Sequence, residues 1–446
     1  MGGVGDVVRD LPHALGDVGW DVRVATPSYG VLHTLPGAVR LTSIDVGFRG
    51  TTQSVDVWEI EDEDSHVRHV VFDHEQFAAG GAGAIYHRDA DTRPYATDAS
   101  NFAFYCAIAA TWIDARETLP DVIHLHDWHS SFFLLLTNFE PRYRRLREIR
   151  TVFTVHNLSY QGIRPLSDDE SSLAAWFPDL EFRIEDVVDP EFDNCLNPMR
   201  MAIRLADRVS TVSPTYAEEI CRPSDPAAGF IGGEWLESDL VRVRDEGRLF
   251  GVLNGCFYDE PIGQRPGWQR LCGMMRQQLE DWREKDPANV AHAIALDHLS
   301  KLPKRRPQHV LISVGRLVPQ KATLLLEEYG GESALQRIAT RLAQSSVILI
   351  LGSGDPNLEE ALLRQARHLP NVIFLHGYSE TLAAPFYRGG DLFLMPSSFE
   401  PCGISQMLAM RAGQPCVVHG VGGLRDTISD GVTGFIFEGQ SPEAQA

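Results

Sequence analysis

The sequence predicts an α/β chain built from two doubly wound, parallel-sheet domains. Three observations carry that expectation. Short apolar, β-branched runs recur between stretches of helical spacing, they fall into two series, and a polar stretch poor in strand signals separates the series. Runs that are apolar on both faces suit a parallel sheet covered by helices. At 446 residues the chain also exceeds one ordinary domain. The expected boundaries are 1–257 for a first domain that lacks its first strand, 258–306 for an interdomain connection, and 307–446 for a second domain.

The opening "MGGVGDVVRDLPHAL" has three glycines in five residues, then Asp6, then apolar residues at helical spacing. It is predicted to be a phosphate-cradling loop entering a helix, a loop that ordinarily follows a buried strand. The first strand series is "DVRVATP", "DVIHLHD", "TVFTVHN", "RVSTVSP" and "FGVLNG". Residues 36–75 instead alternate polar and apolar between turn signals, which predicts an antiparallel insertion or extension of the first domain. The polar stretch over 258–306 includes "GQRPGWQRLCGMMRQQLEDWREKDPANV" and is expected to be partly helical. The second series is "HVLISVG", "SVILILG", "NVIFLHG", "DLFLMP" and "PCVVHG".

Apolar residues make up 43% of the chain, enough for real cores. No run approaches the ~18 consecutive apolar residues of a membrane helix, and the first residues lack the basic flank and apolar stretch of a signal peptide. Neither a membrane partner nor export is expected, and the reading is a cytoplasmic enzyme. Seven scattered cysteines without a C-x-x-C pair read as reduced thiols. A net charge of -21 argues against nucleic acid as a partner and makes basic residues in a binding site informative.

Ligands of open parallel sheets bind outside the carboxyl ends of the strands. After "DVIHL" comes "HDWHSS", which sets His124, His126 and His129 close together. Close imidazoles suggest zinc, but no carboxylate or cysteine completes a recognised metal motif, so they read as structural or acceptor-lining and no metal is expected. After "TVFTV" comes "HNLSYQG", with His156 at the strand end as a switchable donor and acceptor.

In the second half, "SVGRLVPQKA" sets Arg316 and Lys321 just past a strand with Pro319 turning the chain between them. A guanidinium fork and an ammonium together suit a diphosphate without a metal ion. "GSGDPNLEEAL" carries Gly352 and Gly354 ahead of a helix, and "GVGGLRDTI" carries Gly422 and Gly423 ahead of another, whose amides and dipole favour an anion. Tyr378 in "FLHGYSE" offers an aromatic face to a nucleobase. In "PSSFEPCGISQMLAMRAG", Glu400 ends a strand, Pro401 suits a first helical turn, and Cys402 and Gly403 are expected to begin that helix with free amides. A carboxylate beside free N–H groups suits the hydroxyls of a sugar.

These stretches resemble the bacterial glycogen synthase and plant starch synthase family of retaining glucosyltransferases. The resemblance rests on "GGVGDVVRDLP", "HLHDWHSS", "TVFTVHNLSYQG", "STVSPTYAEEI", "GVLNG", "GRLVPQK", "FEPCGISQ" and "GGLRDT", in that order over nearly the whole chain. It implies a GT-B fold, two Rossmann-like domains facing across a deep cleft. It implies transfer of glucose from ADP-glucose to the non-reducing 4-hydroxyl of an α-1,4-glucan with retention, and no cofactor or metal. Arg316 and Lys321 would bind the diphosphate, Glu400 with Cys402 and Gly403 the glucose, and Tyr378 the adenine. His156 would lie beside the glucose, with Asp6 and Gly3 closing over it.

Some positions depart from the family pattern. The lysine and strand that family members place before the double glycine, and their terminal helices, are missing, so the chain is expected to be truncated at both ends. Leu408 stands where a wider pattern has a second glutamate, Gly315 where serine is common, and "NGCFYDEP" alters the surroundings of Asn254, a donor-side residue in the family. A related enzyme using UDP-glucose or a small acceptor, and a non-catalytic glucan-binding relic, are the alternatives.

Overall fold

The computed structural model describes residues 3–61, 67–256, 262–343 and 345–439. The chain divides into two compact units. The first takes the chain up to Val212 together with Ala217–Pro223 and Gly232–Val252; the second takes Ser213–Tyr216, Ser224–Ile231 and the chain from Leu253.

In the first unit every run of the first series forms a strand. These are β1 (Val22–Pro27), β2 (Val39–Phe48), β3 (Thr51–Glu61), β4 (Val67–Asp73), β5 (Val122–His126), β6 (Arg150–Val155), the short β7 (Arg164–Pro165) and β8 (Cys195–Leu196), β9 (Arg208–Thr211) and β10 (Leu249–Gly251). Two four-stranded sheets result, ordered β1-β4-β3-β2 and β10-β9-β6-β5. The second is parallel throughout, with Leu125 opposite Phe153 and Phe153 opposite Val209. The alternating segment is an antiparallel extension, as its pattern predicts: β2 pairs β3, β3 pairs β4, and β4 returns parallel to β1. The β2–β3 turn has Arg49 at φ 55° and Gly50 at φ 67°. Two left-handed central residues match the right-handed twist of the flanking strands.

The opening differs from expectation. A helix runs over Gly3–Asp17, so Gly3 and Asp6 lie in its first turn rather than in a loop. Asp6 there meets the positive end of the helix dipole. Met1 and Gly2 fall outside the described residues.

The second unit holds β11 (His309–Val314), the small hairpin β12 (Glu328–Tyr329) and β13 (Glu332–Ser333), then β14 (Ser346–Gly352), β15 (Val372–His376), β16 (Leu392–Met395), β17 (Cys416–His419) and β18 (Gly434–Phe437). Its six-stranded sheet is parallel, in the order β15-β14-β11-β16-β17-β18. Counted within the unit this is 3-2-1-4-5-6, the doubly wound order of dinucleotide-binding sheets. Alternate residues face opposite layers. Ile312, Leu349 and Ile373 join Leu271, Met275, Leu279, Ala295 and Leu299 on one side. Leu311, Ile348 and Ile350 join Leu325, Leu335 and Leu362 on the other.

The first of those layers is made by helices Trp268–Lys285 and Val290–Lys301, within the stretch expected to be a connection. Its described residues from Ile262 onward belong to the second unit. The polar composition conceals one apolar face, with Trp268, Leu271, Met275, Leu279 and Trp282 three or four residues apart. β18 is a strand the two series leave out.

Candidate active site

Four carboxyl ends of the second sheet bring candidate residues together. Past β11, Leu317 forms a parallel bridge with Gly354, and Pro319 opens helix Pro319–Leu326, which carries Lys321. The Lys321 Nζ lies 3.0 Å from Glu400 Oε2, and Ser397 Oγ donates to the same oxygen at 3.0 Å. Glu400 is 6% exposed, so its charge is compensated inside the protein by that ammonium and hydroxyl. Arg316 is exposed, and among the described residues no carboxylate pairs with it. Arg316 and Lys321 line one small cavity together with Gly315, Pro396 and Ser397. One cation is therefore held by a buried carboxylate, while its neighbour keeps its valence for a ligand.

The Glu400 loop corrects two expectations. Its helix starts at Ser405, not at Cys402. Gly403 takes φ +77°, which turns the chain before the helix, and Gln406 Nε2 donates to the Cys402 and Gly403 carbonyls at 3.0 and 3.1 Å. Gly422 and Gly423 lie inside the first turn of helix Gly422–Thr427. The Gly423 N–H donates to the carbonyls of Glu400 (3.1 Å) and Pro401 (3.2 Å), so that amide holds the glutamate loop instead of awaiting an anion. A Cβ on Gly423 would overlap the backbone of Cys402, which explains the glycine.

Cys402 is buried, and burial pushes its thiol up to about 12 although the Asn254 backbone hydrogen-bonds it. It stays protonated at neutral pH and is no nucleophile. Asn254 thus joins this loop, as does Ser213, and Thr215 reaches helix Gly422–Thr427; the sequence boundaries assign all three to the first domain. Ser213 Oγ donates to Pro401 O at 2.6 Å, and the Thr215 amide and hydroxyl donate to the Asp426 carboxylate at 2.9 and 2.6 Å. The signal for them was "STVSPTY" following a strand; the partner loop is almost 190 residues distant along the chain and had no trace in the pattern.

Gly354 follows β14 and donates its N–H to Glu359 Oε1 at 2.6 Å. A Cβ there would overlap the Leu317 carbonyl oxygen. Tyr378 follows β15 and Gly377; the residue is 65% exposed and its hydroxyl donates to Glu380 at 3.0 Å.

The first unit gathers the histidines at the ends of β5 and β6. His126 Nδ1 and His156 Nε2 are hydrogen-bonded at 3.0 Å, the His124 and His126 rings lie 4.1 Å apart, and His124 Nε2 bonds Thr154 Oγ1 at 2.7 Å. Burial pushes His124, His129 and His156 down to about 4 and lowers His126 as well. The cluster is neutral at physiological pH, so it hydrogen-bonds rather than carrying charge. Among the described residues His156 Nδ1 is buried without a hydrogen-bond partner. His129 packs on Trp128 with ring centroids 4.5 Å apart, a structural role. Among the described residues no group of three His, Cys, Asp or Glu is arranged to hold a metal ion.

Sequence reasoning passed over Asp127. It sits at φ 52°, a strained angle for a non-glycine residue, and accepts the His156 N–H at 2.7 Å. Burial raises its carboxyl to about 7 against the lowering effect of the His156 and Asn157 amides. Asp6 pairs with Arg9 at 3.3 Å, and Gly3 has open space around it; among the described residues neither bonds to His156.

A parallel sheet of order 3-2-1-4-5-6 with cations and a glutamate at its carboxyl edge, preceded by a second α/β unit with a parallel sheet, defines a GT-B glycosyltransferase. Residues 1–241 match the family model described as starch synthase catalytic domain, and residues 297–446 the one described as glycosyl transferases group 1. A glycogen synthase of Deinococcus radiodurans is 35% identical over 440 residues, 98% of this chain and 84% of its own. One from Anaeromyxobacter sp. is 35% identical over 451 residues, covering 99% and 86%. The catalytic domain of starch synthase IV from Arabidopsis thaliana, solved bound to ADP and acarbose, superposes with a TM-score of 0.74 at 25% identity over 100% of this chain and 87% of that one. The chain belongs to the glycogen synthase and starch synthase family, and it is a glucosyltransferase. Among the described residues no helix is long and apolar enough to cross a membrane.

Proposed function

We propose that the enzyme transfers glucose from ADP-glucose to the non-reducing 4-hydroxyl of an α-1,4-glucan, glycogen or starch, with retention of the α configuration. The observation that carries the reading is the exposed Arg316, with no carboxylate partner among the described residues, beside a Lys321 held 3.0 Å from the buried Glu400. Support for ADP as the nucleotide comes from the Arabidopsis starch synthase IV domain, a relative bound to ADP. Arg316 and Lys321 take the diphosphate, Glu400 with the Cys402–Gly403 backbone takes the glucose hydroxyls, and Tyr378 stacks on the adenine. Gly354, Gly422, Gly423 and Asn254 shape the loops around the donor. In the first unit His156 offers to the glucose its Nδ1, which has no hydrogen-bond partner among the described residues, and Asp6 with Gly3 closes over it.

As the C1–O bond to the β-phosphate breaks, negative charge grows on that phosphate and the glucose gains oxocarbenium character. Fixed cations at the phosphate are most effective at that moment. The acceptor O4 attacks C1 on the face the phosphate leaves, its proton passes to a β-phosphate oxygen, and ADP and the lengthened glucan result. A protonated Cys402 thiol and a Glu400 carboxylate already engaged by Lys321 and Ser397 favour this course over a covalent intermediate. Arg316 and the Lys321 N–H donors that Glu400 leaves over meet the diphosphate, so the reading invokes no metal and no cofactor. The site of action is the cytoplasm, in keeping with buried thiols such as Cys106, Cys402 and Cys416 that form no disulfide among the described residues.

The test is release of nucleotide from ADP-glucose and, in parallel, UDP-glucose, each with and without glycogen. Glycogen-dependent release of ADP is the expected result. Faster release of UDP would reassign the donor, and no glycogen-dependent release from either would overturn the reading. A glucosyl-enzyme trapped in turnover would overturn front-side attack alone.

A further inference from the structure

The loops that carry Arg316, Gly354 and Tyr378 leave three different strands, yet they meet at one carboxylate. Glu359 lies in helix Pro356–Ala366, and its Oε1 accepts the Gly354 N–H at 2.6 Å and contacts His376 Nε2 at 2.9 Å. Gly354 in turn bridges Leu317, the residue after Arg316, and the Asp355 N–H donates to the Leu317 carbonyl at 2.7 Å. His376 ends β15, two residues before Tyr378, and the Gly377 N–H donates to Gly352 O at 3.1 Å.

The proton on His376 is assigned by its other neighbour. Asn289 caps helix Val290–Lys301, with its Oδ1 accepting the Ala291 N–H at 3.1 Å. Its amide nitrogen therefore faces His376 Nδ1, at 3.0 Å, and an amide nitrogen can only donate. Nδ1 is the acceptor, so Nε2 carries the hydrogen and donates it to Glu359. His292 Nε2 bonds the His376 carbonyl at 3.0 Å, which fixes the backbone just ahead of Tyr378.

We propose that Glu359 is a positioning residue for the nucleotide half of the donor: with His376 as its arm, it clamps the Arg316, Gly354 and Tyr378 loops at one spacing. It touches no reacting atom. This rests on the donor reading above, and it extends that reading to two residues whose own side chains would not meet the substrate. On the donor reading a nucleoside diphosphate meets both the cation and the aromatic face, so loosening the clamp weakens capture of the nucleotide and leaves the bond-breaking step intact.

The test is donor kinetics together with calorimetric titration by ADP alone, on wild type, Glu359→Ala, Glu359→Gln and His376→Phe. Loss of the clamp should raise the donor KM and the ADP Kd on the order of tenfold to a hundredfold, with kcat changing by no more than about threefold. Glu359→Gln keeps an acceptor oxygen for both N–H groups and should recover most of the affinity. His376→Phe keeps the ring packing and loses the bond, and should move KM in the same direction; it also serves if Glu359→Ala does not fold. Unchanged KM and Kd in both Glu359→Ala and His376→Phe would overturn the inference while wild type still binds ADP, as would a fall confined to kcat or a Gln variant no better than Ala. Wild-type protein that binds no ADP would overturn the donor reading and this clamp with it.

Discussion

Lys321 and Arg316 are separated by five positions and carry the same charge, but their removal has different consequences. Lys321 compensates a buried carboxylate, so Lys321→Ala leaves Glu400 charged and unpaired, a loss of ~3–5 kcal/mol in comparable sites. Arg316 is exposed, and among the described residues no carboxylate pairs with it. Both substitutions should lower kcat/KM by ~10²–10³, the usual cost of removing one group that stabilises developing charge. Only Lys321→Ala should also lower the melting temperature; a parallel drop in Arg316→Ala would show that Arg316 has a structural partner. Gly423→Ala is the complementary case. Its methyl would overlap Cys402, so the substitution should destabilise by ~1–3 kcal/mol and displace the Glu400 loop, read as lower melting temperature and activity together. The positions of Arg316, Lys321 and Glu400 at the carboxyl edge of the sheet were legible because each follows a strand in the sequence. The work of the Gly423 amide was not, since a glycine before a helix looks the same whether its N–H meets an anion or a carbonyl 23 residues back.

At the scale of elements, the ends of β5 and β6 make stability depend on pH. His124, His129 and His156 titrate near 4 in the fold, against 6.5 when exposed, so below about 6.5 the unfolded chain binds protons that the folded chain refuses. Stability therefore falls as pH drops from 6.5 toward 4. Asp127 acts oppositely: folded it keeps its proton up to about 7, unfolded it loses it above 3.8, and it offsets one histidine of the three. The melting temperature should decline between pH 6.5 and 4, and His124→Gln should flatten that decline; a flat profile in wild type would mean the cluster is hydrated. Strands were the most legible elements, because β14 is buried along its whole length and needs no partner pattern to be recognised. Helix Trp268–Lys285 was the least legible, since a single apolar stripe carries its packing. Leu279→Ala in that stripe, fully buried, should cost ~2–5 kcal/mol, where a mere connection would tolerate it; chemical denaturation decides.

For the whole molecule, the net charge of -21 opposes approach of an anionic donor, whereas the cations at the carboxyl edge act over a few ångströms. Salt screens the first more than the second, since the Debye length is ~8 Å near physiological ionic strength. The donor kcat/KM should rise from low to moderate salt; a steady fall would mean local attraction dominates capture. The second unit is also discontinuous in the chain, taking Ser213–Tyr216 and Ser224–Ile231 from a stretch otherwise given to the first. Ser213 closes on Pro401 and Thr215 on Asp426, so the pieces are structural members rather than passing loops. Shuffling halves between relatives is therefore a two-site graft. A gene fused at a single junction near residue 252 inherits the hydroxyls of one parent and the loop of the other, and hybrids should survive only where the 213–216 segment travels with the loop it caps.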